Sequence, residues 1–147
     1  MSALPSEGTT PAPVLAVEDL TVEFRGDAGW VSAIRGVNFE IGARECLGIV
    51  GESGSGKSVS ALSILRLHDT RTTRMPSGRV LFEGRDLLAL PERDMRRVRG
   101  ARIAMIFQDP LASLNPVLTI GRQITEALET HKALGRGAAR KRAVELL

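Results

Sequence analysis

The chain has 147 residues, 43% of them apolar, and a formal net charge of +3, enough for one ordinary domain with a buried core. Its one cysteine, Cys46, excludes an internal disulfide framework and fits a reducing compartment. No apolar run approaches the roughly 18 residues of a membrane-spanning helix. Residues 1–13 lack the basic start and apolar middle of a secretory signal, so the expectation is a cytoplasmic protein that reaches a membrane only through a partner. Aromatics are confined to Phe24, Trp30, Phe39, Phe82 and Phe107, too few for a platform that stacks single-stranded nucleic acid. Arginine outnumbers lysine 17 to 3, with clusters at 93–102 and 136–142. Such runs can mark an anionic partner, but the interleaved Glu and Asp read as solvated helix faces, and no nucleic-acid partner is expected.

Residues 1–13, polar and proline-rich, read as a disordered leader. Val14–Val17 and the alternating Leu20–Phe24 read as one strand, Arg25–Gly29 as a turn, and Trp30–Ile34 as the returning strand. Val37–Ile41 alternates again, so 14–41 predicts an antiparallel region with one face toward a core. Glu45–Val50 is nearly continuous in apolar residues, the pattern of a strand buried on both faces, and places Cys46 as a buried structural thiol. Val59, Leu62, Ile64, Leu65 and Leu67 predict a mostly buried helix. Asp69–Gly78 reads as a loop and Arg79–Glu83 as a short strand. Pro91 and Glu92 open a helix to about Arg99. Ala101–Gln108 is a second buried-strand candidate, followed by a loop through Pro116. From Thr119 the residues Ile120, Ile124, Ala127 and Leu128 fall at helical spacing, Gly135 and Gly137 interrupt, and a last helix starts at Ala138.

Between the Glu45–Val50 run and the first helix lies Gly51-Glu52-Ser53-Gly54-Ser55-Gly56-Lys57-Ser58, which fits G-x-x-x-x-G-K-[ST] at every fixed position. Bringing a polyanion against several backbone N–H groups at once requires a backbone free of Cβ obstruction and able to take positive φ, which Gly51, Gly54 and Gly56 supply. The helix that follows presents unpaired N–H groups and the positive end of its dipole. Lys57 adds a mobile charge for the outer phosphates, and the Ser58 hydroxyl stands where Mg²⁺ can be ligated. Strand, glycine loop and helix in this order are the context such a loop requires, so a nucleoside triphosphate is the expected ligand.

The antiparallel region before this loop, together with Met105-Ile106-Phe107-Gln108-Asp109-Pro110 and the continuation Gln108–Pro116 (QDPLASLNP), resembles the nucleotide-binding domain of ATP-binding cassette (ABC) transporters. Within that family it resembles the ATPase subunits of bacterial oligopeptide, dipeptide and nickel importers, and the likeness runs from Val14 to about Leu134. The resemblance implies an α/β fold: the P-loop NTPase core of an ABC nucleotide-binding domain, with an antiparallel β-subdomain and the start of a helical subdomain. On that reading residues 14–110 form the antiparallel region and P-loop core, and 108–147 the Q-loop and the first part of the helical subdomain. It implies ATP and Mg²⁺ as cofactors, held by Gly51, Ser53, Gly54, Ser55, Gly56, Lys57 and Ser58. Gln108 would be the Q-loop glutamine that reaches Mg²⁺ and the attacking water and couples the site to the permease. Phe24, at the end of the first strand, would stack on adenine, with Trp30 as the alternative. Implied partners are transmembrane permease subunits, which would meet Pro110–Pro116, and a second ATPase subunit. The location would be peripheral on the inner face of the membrane.

The same resemblance leads to the expectation that the chain is truncated, because the signature motif, the Walker B acidic pair and the switch histidine of the family lie downstream of anything in this sequence. His68 and His131 stand too early to be the switch histidine. ATP hydrolysis by residues 1–147 alone is therefore expected to be negligible, and apolar faces that neighbouring strands would cover are expected to be left open. A small-molecule P-loop kinase would account for the glycine loop but not for the antiparallel region or for QDPLASLNP. A non-hydrolytic binding or interaction module is the other reading.

Overall fold

The computed structural model describes residues 12–108, 114–132 and 134–147. The leader expected at 1–13 therefore lies outside the described residues except for Ala12 and Pro13, and so do Asp109–Ser113 of the QDPLASLNP stretch. The chain divides into two compact units, Met1–Pro91 and Glu92–Leu147.

The first unit is built on an antiparallel sheet of order β2-β1-β3-β4, with β1 at Leu15–Gly26, β2 at Gly29–Ile41, β3 at Thr73–Phe82 and β4 at Arg85–Asp86. The hairpin expected from 14–41 is present: Gly26 pairs with Gly29 across the Asp27-Ala28 turn, and Leu15 pairs with Ile41 at the far end. The break in alternation at Glu18-Asp19 is a bulge. Asp19 takes φ 47°, and the register shifts between Val17 and Leu20, which keeps Val17, Leu20 and Val22 on one buried face. Polar groups freed by the bulge are collected by side chains. Asp19 N donates to Asn38 Oδ1 at 2.9 Å and Gly36 N to Thr21 Oγ1 at 3.1 Å. On the other side Gly78, at φ 104°, lies so close that a Cβ there would stand 2.5 Å from Leu20 Cα. Only glycine fits that crossing.

β3 begins earlier than the sequence predicts. The stretch Asp69–Gly78, expected as a loop, enters the sheet at Thr73, which pairs with Phe24, while Arg74 pairs with Glu23. The stretch has little apolar pattern and carries Pro76 and Gly78, both unusual inside a strand. Pro76 is tolerated because β4 pairs with β3 only at Leu81 and Phe82, leaving the Pro76 side of the strand an open edge.

Helix α1, Lys57–Ile64, follows the glycine loop. The residues it buries are Ser60 and Ser63, with Leu65 just beyond its end, whereas Leu67 is exposed. Each buried serine is satisfied by the carbonyl one turn back, Ser60 Oγ donating to Gly56 O at 3.0 Å and Ser63 Oγ to Val59 O at 2.7 Å. The helix ends in a Schellman turn: Leu67 N donates to Leu62 O and Arg66 N to Ser63 O, both at 3.0 Å. Arg66 occupies the left-handed position at φ 51°, where glycine is usual, and its guanidinium donates to Leu90 O at 2.6 Å.

Two predicted buried strands are not strands. Glu45–Val50 belongs to no strand, pairs with no strand among the described residues and is exposed throughout, Val50 to 93%. Cys46, expected to be buried, is exposed with it. Ala101–Gln108 has one bridge, Ile103 to Arg99, and Ile106 is 97% exposed. Both segments have the composition of central parallel strands, and such strands are buried only when neighbours flank them on both sides.

The second unit holds α2 (Glu92–Val98), α3 (Ile120–Lys132) and α4 (Arg136–Glu145). Leu128, Ala139 and Ala143 form a buried cluster, with Ile124 and Leu134 packed against it. The arginine clusters are solvated faces carrying ion pairs, including Arg99 with Glu92 at 2.5 Å, Arg97 with Asp94 at 3.5 Å and Arg142 with Glu145 at 2.9 Å. No helix among the described residues is long and apolar enough to cross a membrane.

Candidate functional site

Gly51–Ser58 forms a solvent-facing loop that turns into α1. Gly54 at φ 82° and Gly56 at φ 94° hold left-handed backbone in the loop. Gly56 is the N-cap of α1 and supplies no side-chain cap, and no acidic residue occupies the first turn. The first helical hydrogen bond runs from Ser60 N to Gly56 O at 2.8 Å, so the N–H groups of the first turn have no acceptor within the helix. An added Cβ at Gly51 would stand 2.6 Å from Ser55 Oγ, and one at Gly56 would collide with the Ile34 side chain from β2. The concavity exists only because these positions carry no side chain. Its chemistry is that of an anion cradle, with backbone donors and a helix dipole directed at solvent.

Lys57 crosses this cradle. Its Nζ donates to Gly51 O at 2.6 Å, to Glu52 O at 2.7 Å and to Ser55 Oγ at 3.2 Å. The ammonium is thus held by neutral acceptors within its own loop, with no carboxylate among its partners. Ser53 and Ser58 are exposed, Ser58 in the first turn of α1. An open cleft of about 390 Å³ adjoins the loop, lined by Ile34, Val37, Leu47, Ile49, Gly56 and Lys57 among others.

Phe24 stands on β1 in the same unit as the loop, half-buried. Its ring meets that of His68 edge to face, with centroids 5.5 Å apart and planes at 80°. His68 Nε2 lies 3.0 Å from Ser63 Oγ and 3.2 Å from Val59 O. Nothing in the sequence pattern marks this contact, because Phe24 lies on β1 and His68 beyond the end of α1. Trp30, the alternative stacking residue, has the Arg74 guanidinium over its ring at 4.5 Å.

Gln108 belongs to the second unit and is exposed, not at the end of a buried strand as the sequence predicts. Of the expected permease-facing stretch, Leu114–Pro116 are described and exposed. Gln123 fixes their shape: its Oε1 accepts from Asn115 N at 2.9 Å, and its Nε2 donates to Asn115 O and Leu118 O, both at 3.0 Å. No cluster of three or more His, Cys, Asp and Glu able to hold a metal occurs among the described residues.

The family profile described as ABC transporter matches residues 34–146. A putative peptide import ATP-binding protein of Brucella abortus (strain 2308) is 57% identical over 136 residues, 92% of this chain and 41% of the relative. The oligopeptide transport ATP-binding protein OppD of Bacillus subtilis (strain 168) is 52% identical over 91% of this chain and 37% of its own length. The chain thus spans about two-fifths of the curated relatives it matches. Among solved structures, a dimeric ATP-binding cassette in a post-hydrolysis state, bound to ADP and Pi, superposes with a TM-score of 0.73 at 26% identity, covering 89% of this chain and 54% of that one. The fold is therefore that of an ABC ATPase cassette, and the chain belongs to the ABC transporter family, with peptide import ATP-binding proteins among its relatives.

Proposed function

We propose that this chain binds the triphosphate of ATP at Gly51–Ser58 as part of the ATP-binding subunit that energises import of peptides or similar solutes. The observation that supports this most directly is the uncapped N-terminus of α1 behind the left-handed Gly54 and Gly56, in a chain 57% identical to a peptide import ATP-binding protein. On this reading the backbone from Ser53 to Ser58, including Gly54, Ser55 and Gly56, surrounds the phosphates, with Gly51 opening the turn. Lys57 leaves Gly51 O and Glu52 O for the outer phosphate oxygens. That exchange of neutral carbonyls for anionic oxygens strengthens every hydrogen bond the ammonium makes. Ser58 and Gln108 are assigned to Mg²⁺, which when bound neutralises charge on the outer phosphates. Phe24 takes the adenine. The cassette works with a second ATPase subunit and docks on permease subunits through Leu114–Pro116 and the residues before them, peripheral to the membrane.

The loop offers Lys57 only neutral acceptors, Gly51 O, Glu52 O and Ser55 Oγ, and water orientation in phosphoryl transfer calls for a positioned polar or acidic group. We assign phosphate holding to residues 1–147 and expect little hydrolysis from them alone. Calorimetric titration of the chain with Mg-ATP tests the first part, binding being expected in the parent and lost in Lys57→Ala. Equal affinity in the two proteins would overturn it. A steady-state ATPase assay tests the second, and turnover typical of a complete ABC ATPase would contradict it.

A further inference from the structure

The feature that the nucleotide reading leaves unused is the pair Phe24–His68 and what stands behind it. His68 Nε2 is within hydrogen-bond distance of both Ser63 Oγ (3.0 Å) and Val59 O (3.2 Å). Ser63 commits its one hydroxyl hydrogen to Val59 O at 2.7 Å, and a carbonyl only accepts. Nε2 must therefore carry a hydrogen and share it between the two oxygens. The imidazole is fixed to the side of α1, and its ring meets Phe24 edge to face at 5.5 Å.

The backbone around His68 is fastened on both sides. The Schellman turn at Arg66 and Leu67 brings the chain back from the end of α1. After His68, the Asp69 carboxylate accepts from Arg71 N at 2.9 Å and Thr72 N donates to Asp69 O at 3.1 Å. Arg25 N then donates to Thr72 O at 2.8 Å, and Thr73 pairs with Phe24 itself. A closed circuit results: Phe24 on β1, Thr73 on β3, the turn through Asp69, His68, and the helix whose first turn is Lys57-Ser58.

We propose that His68 is a positioning residue for the nucleotide base, holding the Phe24 ring at a set place relative to α1, so that the aromatic at one end of ATP and the phosphate loop at the other are joined by one side chain. This rests on the assignment of Phe24 to adenine. An aromatic used as a stacking surface must not rotate, because each rotamer left open is entropy lost on binding. A T-shaped ring contact of this geometry supplies that restraint, and its anchor is the helix that grips the phosphates.

The test separates the base end from the phosphate end by measuring dissociation constants of the 147-residue chain for Mg-ATP and for inorganic tripolyphosphate, which has no base. His68→Ala is expected to weaken ATP binding roughly three- to ten-fold and to leave tripolyphosphate binding unchanged. His68→Gln keeps an N–H for Val59 O and Ser63 Oγ but presents no ring to Phe24, so it should fold like the parent and still show the ATP-selective loss. Phe24→Ala should show that loss at least as strongly, and adding His68→Ala to it should cost nothing more. ATP affinity unchanged in His68→Gln, or equal losses for both ligands, would overturn the proposal while leaving Phe24 in place. An unchanged ATP affinity in Phe24→Ala would instead remove the adenine assignment, and His68 with it.

Discussion

The Arg74 guanidinium carbon stands 4.5 Å above the centre of the Trp30 ring, while its Nε donates to Glu23 Oε2 at 2.7 Å. One face of Trp30 is therefore already in use, by a cation pinned across β1 and β3. At an exposed site this contact contributes about 0.5–1 kcal/mol.

Trp30 is thus the weaker of the two aromatics for adenine. Trp30→Ala should lower the urea midpoint slightly and change ATP affinity less than two-fold, an order-of-magnitude limit set by the loss of one surface contact. Phe24→Ala should have the larger effect on binding. The reverse order in calorimetric titrations would exchange their roles.

Lys57 Nζ makes its three hydrogen bonds inside its own loop. Replacing it removes the one side-chain cation of the cradle but little folded packing. Lys57→Ala should keep the parent's thermal midpoint to within a few degrees, since exposed bonds contribute about 1 kcal/mol or less. It should lose ATP and tripolyphosphate affinity together, by about ten-fold or more, because bonds to charged partners contribute about 1.5–3 kcal/mol. Parallel titrations with the two ligands check this.

Gly56→Ala meets two obstacles at once, a φ of 94° and the Ile34 side chain. Ile34 is buried and cannot simply swing away. The substitution should destabilise the chain by about 1–3 kcal/mol, read as a lower urea midpoint. It should also abolish phosphate binding by moving the first turn of α1. Gly54→Ala has the positive φ but no neighbour within 4 Å, so it should be milder, and the difference between the two measures the Ile34 contact.

Asp69 provides a pH test of the turn that carries His68. The Arg71 side chain, and then its backbone N–H, hold the Asp69 carboxyl below its usual value of 3.8. A depressed folded-state value means that the ionised form stabilises the fold. That contribution is fully present above the unfolded value and is lost as pH falls through the folded one. Asp69→Asn should therefore be less stable than the parent at neutral pH, and the gap should close below about pH 3.8. Urea midpoints measured from pH 7 to pH 2.5 follow it, and a gap that persists at the acid end would contradict the assignment.

Local features of the chain were legible in the sequence and partner-dependent ones were not. The hairpin follows from alternation on either side of a turn, and the glycine loop from residue type at fixed spacing. The amphipathic spacing of Ile120, Ile124 and Leu128 gave α3. Glu45–Val50 and Ala101–Gln108 read equally clearly as buried strands. Whether they are buried depends on what lies beside them, however, and no local pattern records that. Pro76 suggested a loop because its lack of an N–H counts against a strand only where a neighbour needs that donor. The Phe24–His68 contact was hidden for a different reason: it is set by the Schellman turn at Arg66, a left-handed residue in a place where sequence rules look for glycine.

The phosphate loop hangs between two segments of opposite character. Behind it α1 rests on β2 and buries Ser60 and Ser63, while ahead of it the amides of Leu47–Val50 have no hydrogen bond to any described residue. In deuterated water the two sides will keep different time. Amides of Leu20, Val22 and Val80 will exchange only when the sheet opens, and those of Leu47–Val50 almost as fast as in a free peptide. Whatever strand comes to lie against that run will be visible as a slowing of these four amides, without a label and without disturbing the loop four residues away from Leu47.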